Sequence, residues 1–234
     1  MPHLAVFGAG PALGLSAARR FGRAGYSVTL IARNTDRLEQ MRATVAADGV
    51  ETDVQQTELA DEAQVDAALA DLQARHGIPD VVLYSPGGVD RLPVDALSLD
   101  VYTLRSWLPV NLTTPVLILH ALLPAMVARG SGAVLVAQGM SVRTPMAALA
   151  SVSVPQSGLL NYLRAVDQQV RPQGVRVGSL QIGRIIQTSD AQKLFDSGHF
   201  ATVEPNEVER VEPDVLAEDL FEMATTDVEV ERAA

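Results

Sequence analysis

Short apolar runs separated by segments of helical spacing set the pattern of this chain. Residues 4–7 form a brief apolar run ending at Gly8, residues 11–22 place apolar side chains at helical intervals, and residues 27–32 form a second β-rich run. That is a βαβ unit beginning almost at the first residue. The alternation continues with a helix over 36–48, a strand over 50–56, a helix over 61–76 and an apolar strand over 80–84. A long helical stretch follows over 101–129, which Pro109, Pro115 and Pro124 are expected to bend or end in parts. A strand over 133–137, a helix over 155–170 and a strand over 175–181 come next, and after Gly183 the pattern weakens. A helix over 213–225 and a short edge strand over 228–230 close the chain, while residues 184–212 read as a loop-rich segment facing a substrate. Strands alternating with helices predict a single α/β domain over 1–234, with a doubly wound parallel sheet and helices on both faces.

Composition narrows the functional classes. With 234 residues and 47% hydrophobic content the chain can bury the core of one such domain. A net charge of -10 and a pI near 4.8 oppose nucleic acid or an anionic membrane as the main partner. The absence of cysteine removes disulfides, thiolate nucleophiles and cysteine-ligated metals, and no spacing of histidines with carboxylates suggests another metal site. The first residues, Met1-Pro2-His3, lead directly into the apolar strand without a basic region or cleavage site, and no stretch approaches the roughly 18 uninterrupted apolar residues of a membrane span. A soluble, cytoplasmic protein is the expectation.

The turn Gly8-Ala9-Gly10-Pro11-Ala12-Leu13-Gly14 joins the first strand to the first helix. Small residues there let the backbone approach a pyrophosphate, whose charge is stabilised by amides at the helix N-terminus. Any tight βα connection favours glycine, so it is the position after the first strand of a βαβ unit that gives the turn its weight. The second strand ends in Ala32-Arg33-Asn34, where an NAD-selective site would place an acid against the ribose hydroxyls. A guanidinium favours a 2'-phosphate instead. Arg33, with Asn34 or Thr35 as hydrogen-bond partners, is therefore the candidate for NADP(H) preference; the alternative is a solvated arginine at a helix start.

With these residues in place, the chain resembles the short-chain dehydrogenase/reductase family, well over residues 4–188 and loosely beyond them. The family's Thr-Gly-x-x-x-Gly-x-Gly motif maps onto Phe7, Gly8, Ala12 and Gly14, with alanine for the middle glycine. Its acidic-apolar pair at the adenine corresponds to Glu58-Leu59, and its Asn-Asn-Ala-Gly segment to Tyr84-Ser85-Pro86-Gly87. Val110-Asn111-Leu112 matches the helix carrying the structural asparagine, and Ile182-Gly183-Arg184-Ile185-Ile186-Gln187-Thr188 resembles the segment beside the nicotinamide. The resemblance implies a Rossmann-like fold with NADP(H) held by Gly8, Gly10, Ala12, Leu13, Gly14, Arg33, Asn34, Glu58, Leu59, Ser85, Gly87, Gln156, Ile182, Gly183 and Ile185. It also implies a homodimer or homotetramer formed through the apolar faces of 101–126 and 155–170.

The same resemblance places Asn111, Gly139, Val152 and Gln156 at the positions of the catalytic tetrad, where the family has asparagine, serine, tyrosine and lysine. Asn111 alone is retained. Carbonyl reduction needs a hydride donor and a proton donor aimed at the developing alkoxide, and neither valine nor glutamine transfers a proton near neutral pH. General acid catalysis contributes about 10²- to 10⁴-fold, so its loss leaves hydride transfer slow rather than abolished. Ser141, Ser151, Ser153 and Tyr84 are candidate substitute donors, each with a plain reading as a loop or strand-end residue. Tyr162 reads as structural, His120 as a buried or interface histidine, and His3, His76 and His199 as isolated. Three functions stay open: an NADPH oxidoreductase protonated by water, substrate or a nearby hydroxyl; a non-redox isomerase, cyclase or dehydratase; and a catalytically silent nucleotide-binding or partner subunit.

Overall fold

A computed structural model describes residues 1–87, 91–198, 208–226 and 231–234. Strand β1 (His3–Phe7) is buried along its whole length, as a strand covered on both faces must be. Its side chains alternate between two cores: Leu4 and Val6 enter one, Ala5 and Phe7 the other. β2 (Ser27–Ala32), β3 (Thr52–Gln56), β4 (Val81–Tyr84), β5 (Gly132–Gly139), β6 (Val175–Ile182) and β9 (Glu231–Ala233) complete the sheet, in the order β3-β2-β1-β4-β5-β6-β9. Every described ladder in it is parallel.

The first core is covered by α1 (Leu13–Arg23), α2 (Thr35–Ala47) and α8 (Pro213–Thr225). α3 (Glu62–His76), α5 (Thr114–Arg129) and α6 (Ala150–Val170) cover the second, with α4 (Val101–Leu108) leading into α5. Local chemistry sets several boundaries. Asn34, Asp61 and Asp100 cap α2, α3 and α4 by accepting backbone N–H groups, and Gly130 ends α5 in the left-handed conformation. The strand order reverses between β1 and β4, so a crevice opens beyond the carboxyl ends of these strands.

Three expectations change. The helical stretch 101–129 is not ended by its prolines: Pro109 opens a five-residue π turn, Pro109–Thr113, that joins α4 to α5, and Pro124 sits inside α5. By length and composition this run could cross a membrane. It buries Ile118, Leu119, Leu122 and Met126 in the second core and leaves Val101 and Tyr102 exposed.

α6 begins at Ala150, five residues before the proline that suggested its start. The cause is tertiary: Ser151 N–H donates to the Val94 carbonyl at 3.1 Å and Ser151 Oγ accepts from Val94 N–H at 2.9 Å, fixing a first turn that Pro155 then follows.

The third change lies in segment 184–212, which carries β7 (Ile185–Ile186), α7 (Asp190–Asp196) and β8 (Arg210–Val211), with β7 and β8 paired in parallel. Residues 228–230 lie outside the described part; the edge strand that is described, β9, pairs with β6 just after them.

Candidate functional site

A cleft of about 410 Å³ occupies the crevice. Its floor on one side is the turn after β1. Gly8 has φ +78°, and a Cβ there would lie 2.5 Å from Pro86 N, so only glycine fits. Gly8 and Ala9 N–H both donate to the Ile31 carbonyl, at 2.8 and 3.1 Å, pinning the turn against β2. A Cβ on Gly10 would meet nothing within 4 Å, whereas one on Gly14 would press on Ala9 Cα at 3.0 Å. No side chain caps the start of α1 and no acid occupies its first turn. The unpaired amides of a helix start and its dipole make this wall favourable to an anion.

Charges gather where β2 and β3 end. Arg33 lies 3.8 Å from the Glu58 carboxylate, both about half exposed. Asn34 lines the cleft, but its Oδ1 already accepts the Arg37 N–H at 2.9 Å as the cap of α2, which leaves its amide nitrogen as the available donor. Arg37 reaches the cleft from the first turn of α2 and forms an ion pair with Asp190 on α7. Partial burial alone would raise the Asp190 carboxyl, but hydrogen bonds from Lys193 and Arg37 hold it below the ordinary carboxylate value. Leu59, Ser85 and Gly87 also line this side. The Ser85 and Thr57 hydroxyls are buried in the wall with no partner among the described residues.

The other end of the cleft lies at β5, β6 and α6. Gln156 Nε2 donates to Asn111 Oδ1 at 3.0 Å, and its Oε1 accepts from Gly139 N–H at 3.3 Å. Asn111 in turn donates to the Trp107 carbonyl at 3.0 Å. Below them Gln138 Nε2 donates to the Gln156 carbonyl at 2.8 Å and Ser179 Oγ donates to Gln138 Oε1 at 2.8 Å. Asn111, Gly139 and Gln156 are thus joined in one hydrogen-bonded chain. Val152 is half-buried one helical turn before Gln156 and does not line the cleft. Gly183 does not line it either: its N–H donates to the Ala234 carbonyl at 2.8 Å, extending the β6–β9 edge. Ile182 and Ile185 do line it, as does Arg184, which has no carboxylate partner among the described residues.

Two of the four candidate substitute donors, Tyr84 and Ser151, are removed by this geometry. Tyr84 points into the second core and donates to the Val110 carbonyl at 2.6 Å; burial, reinforced by the Glu58 charge, pushes its phenol far up. Ser151 is tied to Val94. Ser141 remains beside Gly139, its Oγ 3.5 Å from where a Cβ of residue 139 would stand. Tyr162 packs against the second core, and His120 is exposed on α5 rather than buried within the subunit. His3 and His76 are not isolated: they stack at 4.6 Å near the N-terminal end of β1, the end of the strand away from the cleft, with His3 between Ser27 Oγ and Thr29 Oγ1 at 2.8 and 3.0 Å. His199 lies outside the described residues.

Arg37, Thr57, Gln138 and Asp190 belong to the cleft without a sequence signal for it. Arg37 and Asp190 look like ordinary helix-start residues until the fold brings them together from 153 positions apart.

Fold and cleft together define a doubly wound α/β protein with a glycine turn at the strand-order reversal. The chain belongs to the short chain dehydrogenase family, whose model matches residues 2–197. It is 33% identical over 188 residues to galactitol 2-dehydrogenase (L-tagatose-forming) of Cereibacter sphaeroides, covering 77% of this chain and 70% of that one. Similar solved structures include an actinorhodin polyketide ketoreductase variant with NADPH, at TM-score 0.85, 20% identity and coverage of 99% and 95%. Another is the NADPH-bound short chain oxidoreductase of Pseudomonas aeruginosa PAO1 containing an atypical catalytic center, at TM-score 0.81, 17% identity and the same coverage, 99% and 95%. Across the curated relatives the matches span 65% to 86% of the relative's length.

Proposed function

We propose that the cleft binds NADP(H) and that the protein is an oxidoreductase of atypical mechanism. The reading rests on one observation: the glycine turn, an uncapped helix start and the guanidinium groups of Arg33, Arg37 and Arg184 line a single cleft. The residues fit such a ligand. Gly10 leaves open space on the cleft side, and Ala12, only 4% exposed, keeps its methyl in the wall, so the alanine at the family's middle glycine does not obstruct. The orphaned Ser85 and Thr57 hydroxyls have bonding capacity that a polar ligand would satisfy.

On this reading Gly8, Gly10, Ala12, Leu13 and Gly14 hold the pyrophosphate, Arg33 and Arg37 the 2'-phosphate, and Glu58 and Leu59 the adenine. Ser85 and Gly87 hold the middle of the cofactor, Gln156 the second ribose, and Ile182 and Ile185 flank the ring. When bound, the cofactor supplies a hydride. The chain supplies positioning at that end: Asn111 orients Gln156, and Gln156 fixes the Gly139 backbone. Gly139, Val152 and Gln156 stand where the family has its serine, tyrosine and lysine, so no ionisable acid delivers the proton. Water, the substrate or the Ser141 hydroxyl delivers it. The same lack of an acid at this end favours the second reading, a non-redox enzyme or a catalytically silent nucleotide-binding subunit. We also propose a homodimer or homotetramer formed through the exposed apolar side of α4, α5 and α6, which sedimentation analysis checks.

Titration with NADPH and NADH tests the cofactor reading. Trp107, whose carbonyl accepts from Asn111, is the fluorescent reporter, with calorimetry as a second readout. Tight, NADPH-selective binding is expected; no binding at millimolar concentration overturns the proposal. Turnover of carbonyl or enone substrates by the loaded protein then separates the oxidoreductase from the non-redox and silent readings.

A further inference from the structure

Arg33 and Arg37, the two cations assigned to the 2'-phosphate, already face carboxylates. Arg33 has Glu58 at 3.8 Å, and Arg37 is in direct contact with Asp190. With Lys193 Nζ 3.0 Å from Asp190, three cations face two carboxylates, so this end of the cleft carries one net positive charge from the five groups. An incoming phosphate of two negative charges gains more from this cluster if it also replaces one of the carboxylates. The looser Arg33–Glu58 pair leaves room for an added oxygen between its members. The Arg37–Asp190 contact does not.

We propose that Asp190 is an internal competitor for Arg37, and that selectivity for a 2'-phosphorylated cofactor works by exchange of the Asp190 carboxylate for the phosphate, which loosens α7. This rests on the NADP(H) reading of the cleft. Three features support the exchange. Arg37 and Asp190 line the same cleft from opposite walls, one on α2 and one on α7. The Asp190 side chain is less exposed than that of Arg37, 24% against 52%, so the arginine is the member with freedom to turn toward a ligand. Asp190 also accepts from Lys193 Nζ at 3.0 Å, one turn along α7, so the exchange does not strand an unpaired carboxylate. Other polar contacts of α7, Ser189 with Gln192 and Asp196 with Arg210, stay within its own segment. The Arg37–Asp190 pair is therefore a bridge from α7 to the rest of the fold, and the phosphate breaks it.

The test uses the full chain with 2',5'-ADP and 5'-AMP as probes, which differ only in the 2'-phosphate. An exposed pair contributes about 0.2–1 kcal/mol, so Asp190→Asn is expected to strengthen 2',5'-ADP binding about 1.4- to fivefold and to leave 5'-AMP unchanged. In an Arg37→Ala background the same substitution is expected to change neither. Lys193 is the single lysine of the sequence, so endoproteinase Lys-C reports on α7 alone. Cleavage after Lys193 is expected to accelerate with 2',5'-ADP and in Asp190→Asn, but not with 5'-AMP.

If the wild type prefers 2',5'-ADP yet Asp190→Asn weakens or does not alter that binding, the carboxylate orients Arg37 instead of competing for it, and the exchange is overturned while the NADP(H) reading stands. Unchanged or slower Lys-C cleavage with 2',5'-ADP overturns the loosening of α7. A wild type that fails to prefer 2',5'-ADP over 5'-AMP overturns both the exchange and the phosphate assignment beneath it.

Discussion

The two ends of the cleft are made from different kinds of side chain. Where β2 and β3 end, guanidiniums, carboxylates and orphaned hydroxyls face one another across the opening, and several of these groups have bonding capacity left for a ligand. At the β5–α6 end, amides dominate, and they satisfy one another: Trp107 carbonyl, Asn111, Gln156 and the Gly139 N–H form one continuous chain. The first end is suited to holding a charged ligand. The second is suited to holding shape, because amide groups keep their hydrogen bonds at any ordinary pH but have no proton to give. Binding and proton delivery are therefore separable in this fold, and the comparison breaks if either end does the other's work.

The sharpest way to break it is to place the family's catalytic side chains at the proposed tetrad positions. Gly139→Ser, Val152→Tyr and Gln156→Lys together are expected to raise NADPH-dependent reduction of a promiscuous diketone about 10²- to 10⁴-fold over wild type, the range of general acid catalysis. The serine has room, since a Cβ on Gly139 stands 3.5 Å from Ser141 Oγ and 4.0 Å from Gln156 Oε1. Absence of activity in a folded, cofactor-binding triple variant would overturn the assignment of Gly139, Val152 and Gln156 to the tetrad positions.

The next test attacks the charged end through its floor. A Cβ on Gly10 meets nothing within 4 Å, so Gly10→Trp is expected to keep the fold while filling the pyrophosphate wall; NADPH affinity is expected to fall on the order of 100-fold, with unchanged circular dichroism. Gly8→Ala makes the contrast. Its φ of +78° and the Pro86 backbone at 2.5 Å mean that stability falls as well, by about 2 kcal/mol or more. Equal behaviour of the two variants would remove the distinction between a glycine required by the turn and one required by the ligand.

These contrasts also mark how far the sequence reaches. The sheet and both helical layers follow from period and punctuation, because apolar strands buried on both faces and capped helices leave strong local signals. The glycine turn and Arg33 are legible because each follows directly on a strand end, and Asn111 and Gln156 through the resemblance to the family's motifs. Arg37 is not: at a helix start it looks like a solvated cation, and only the folding of α7 against α2 gives it a role. The start of α6 is hidden for the same reason, since Ser151 is held by Val94 across the fold and no local residue announces it. Tyr84 shows the converse, a residue well placed in sequence whose ring turns into the core.

Within the charged end, Arg33→Ala is expected to weaken NADPH about tenfold while NADH changes little, as loss of a charge-assisted contact to a partly exposed phosphate implies. Calorimetry with both cofactors measures it. Equal losses would assign Arg33 to the shared part of the ligand and leave Arg37 as the phosphate contact.

The smallest effect lies outside the cleft and sets the pH at which its two ends can be compared. Burial, followed by the charge of His76, lowers the His3 pKa from 6.5 to about 4, although Asp80 and Asp53 pull the other way and Arg75 adds to the fall. A depressed histidine favours its neutral form in the folded state, so its contribution is fully present above pH 6.5 and is lost as pH falls toward 4, where the unfolded chain takes up the proton first. The loss is about 1 kcal/mol by pH 6. Urea unfolding midpoints measured between pH 7.5 and 5 are expected to fall in the wild type and to flatten in His3→Gln, which retains a hydrogen bond to Ser27 or Thr29 but cannot be protonated. If the variant falls as steeply as the wild type, carboxylates govern the slope and the stacked pair does not. In either case the cofactor titrations belong above pH 7, where a change in binding cannot be a protonation of His3 at the far end of β1.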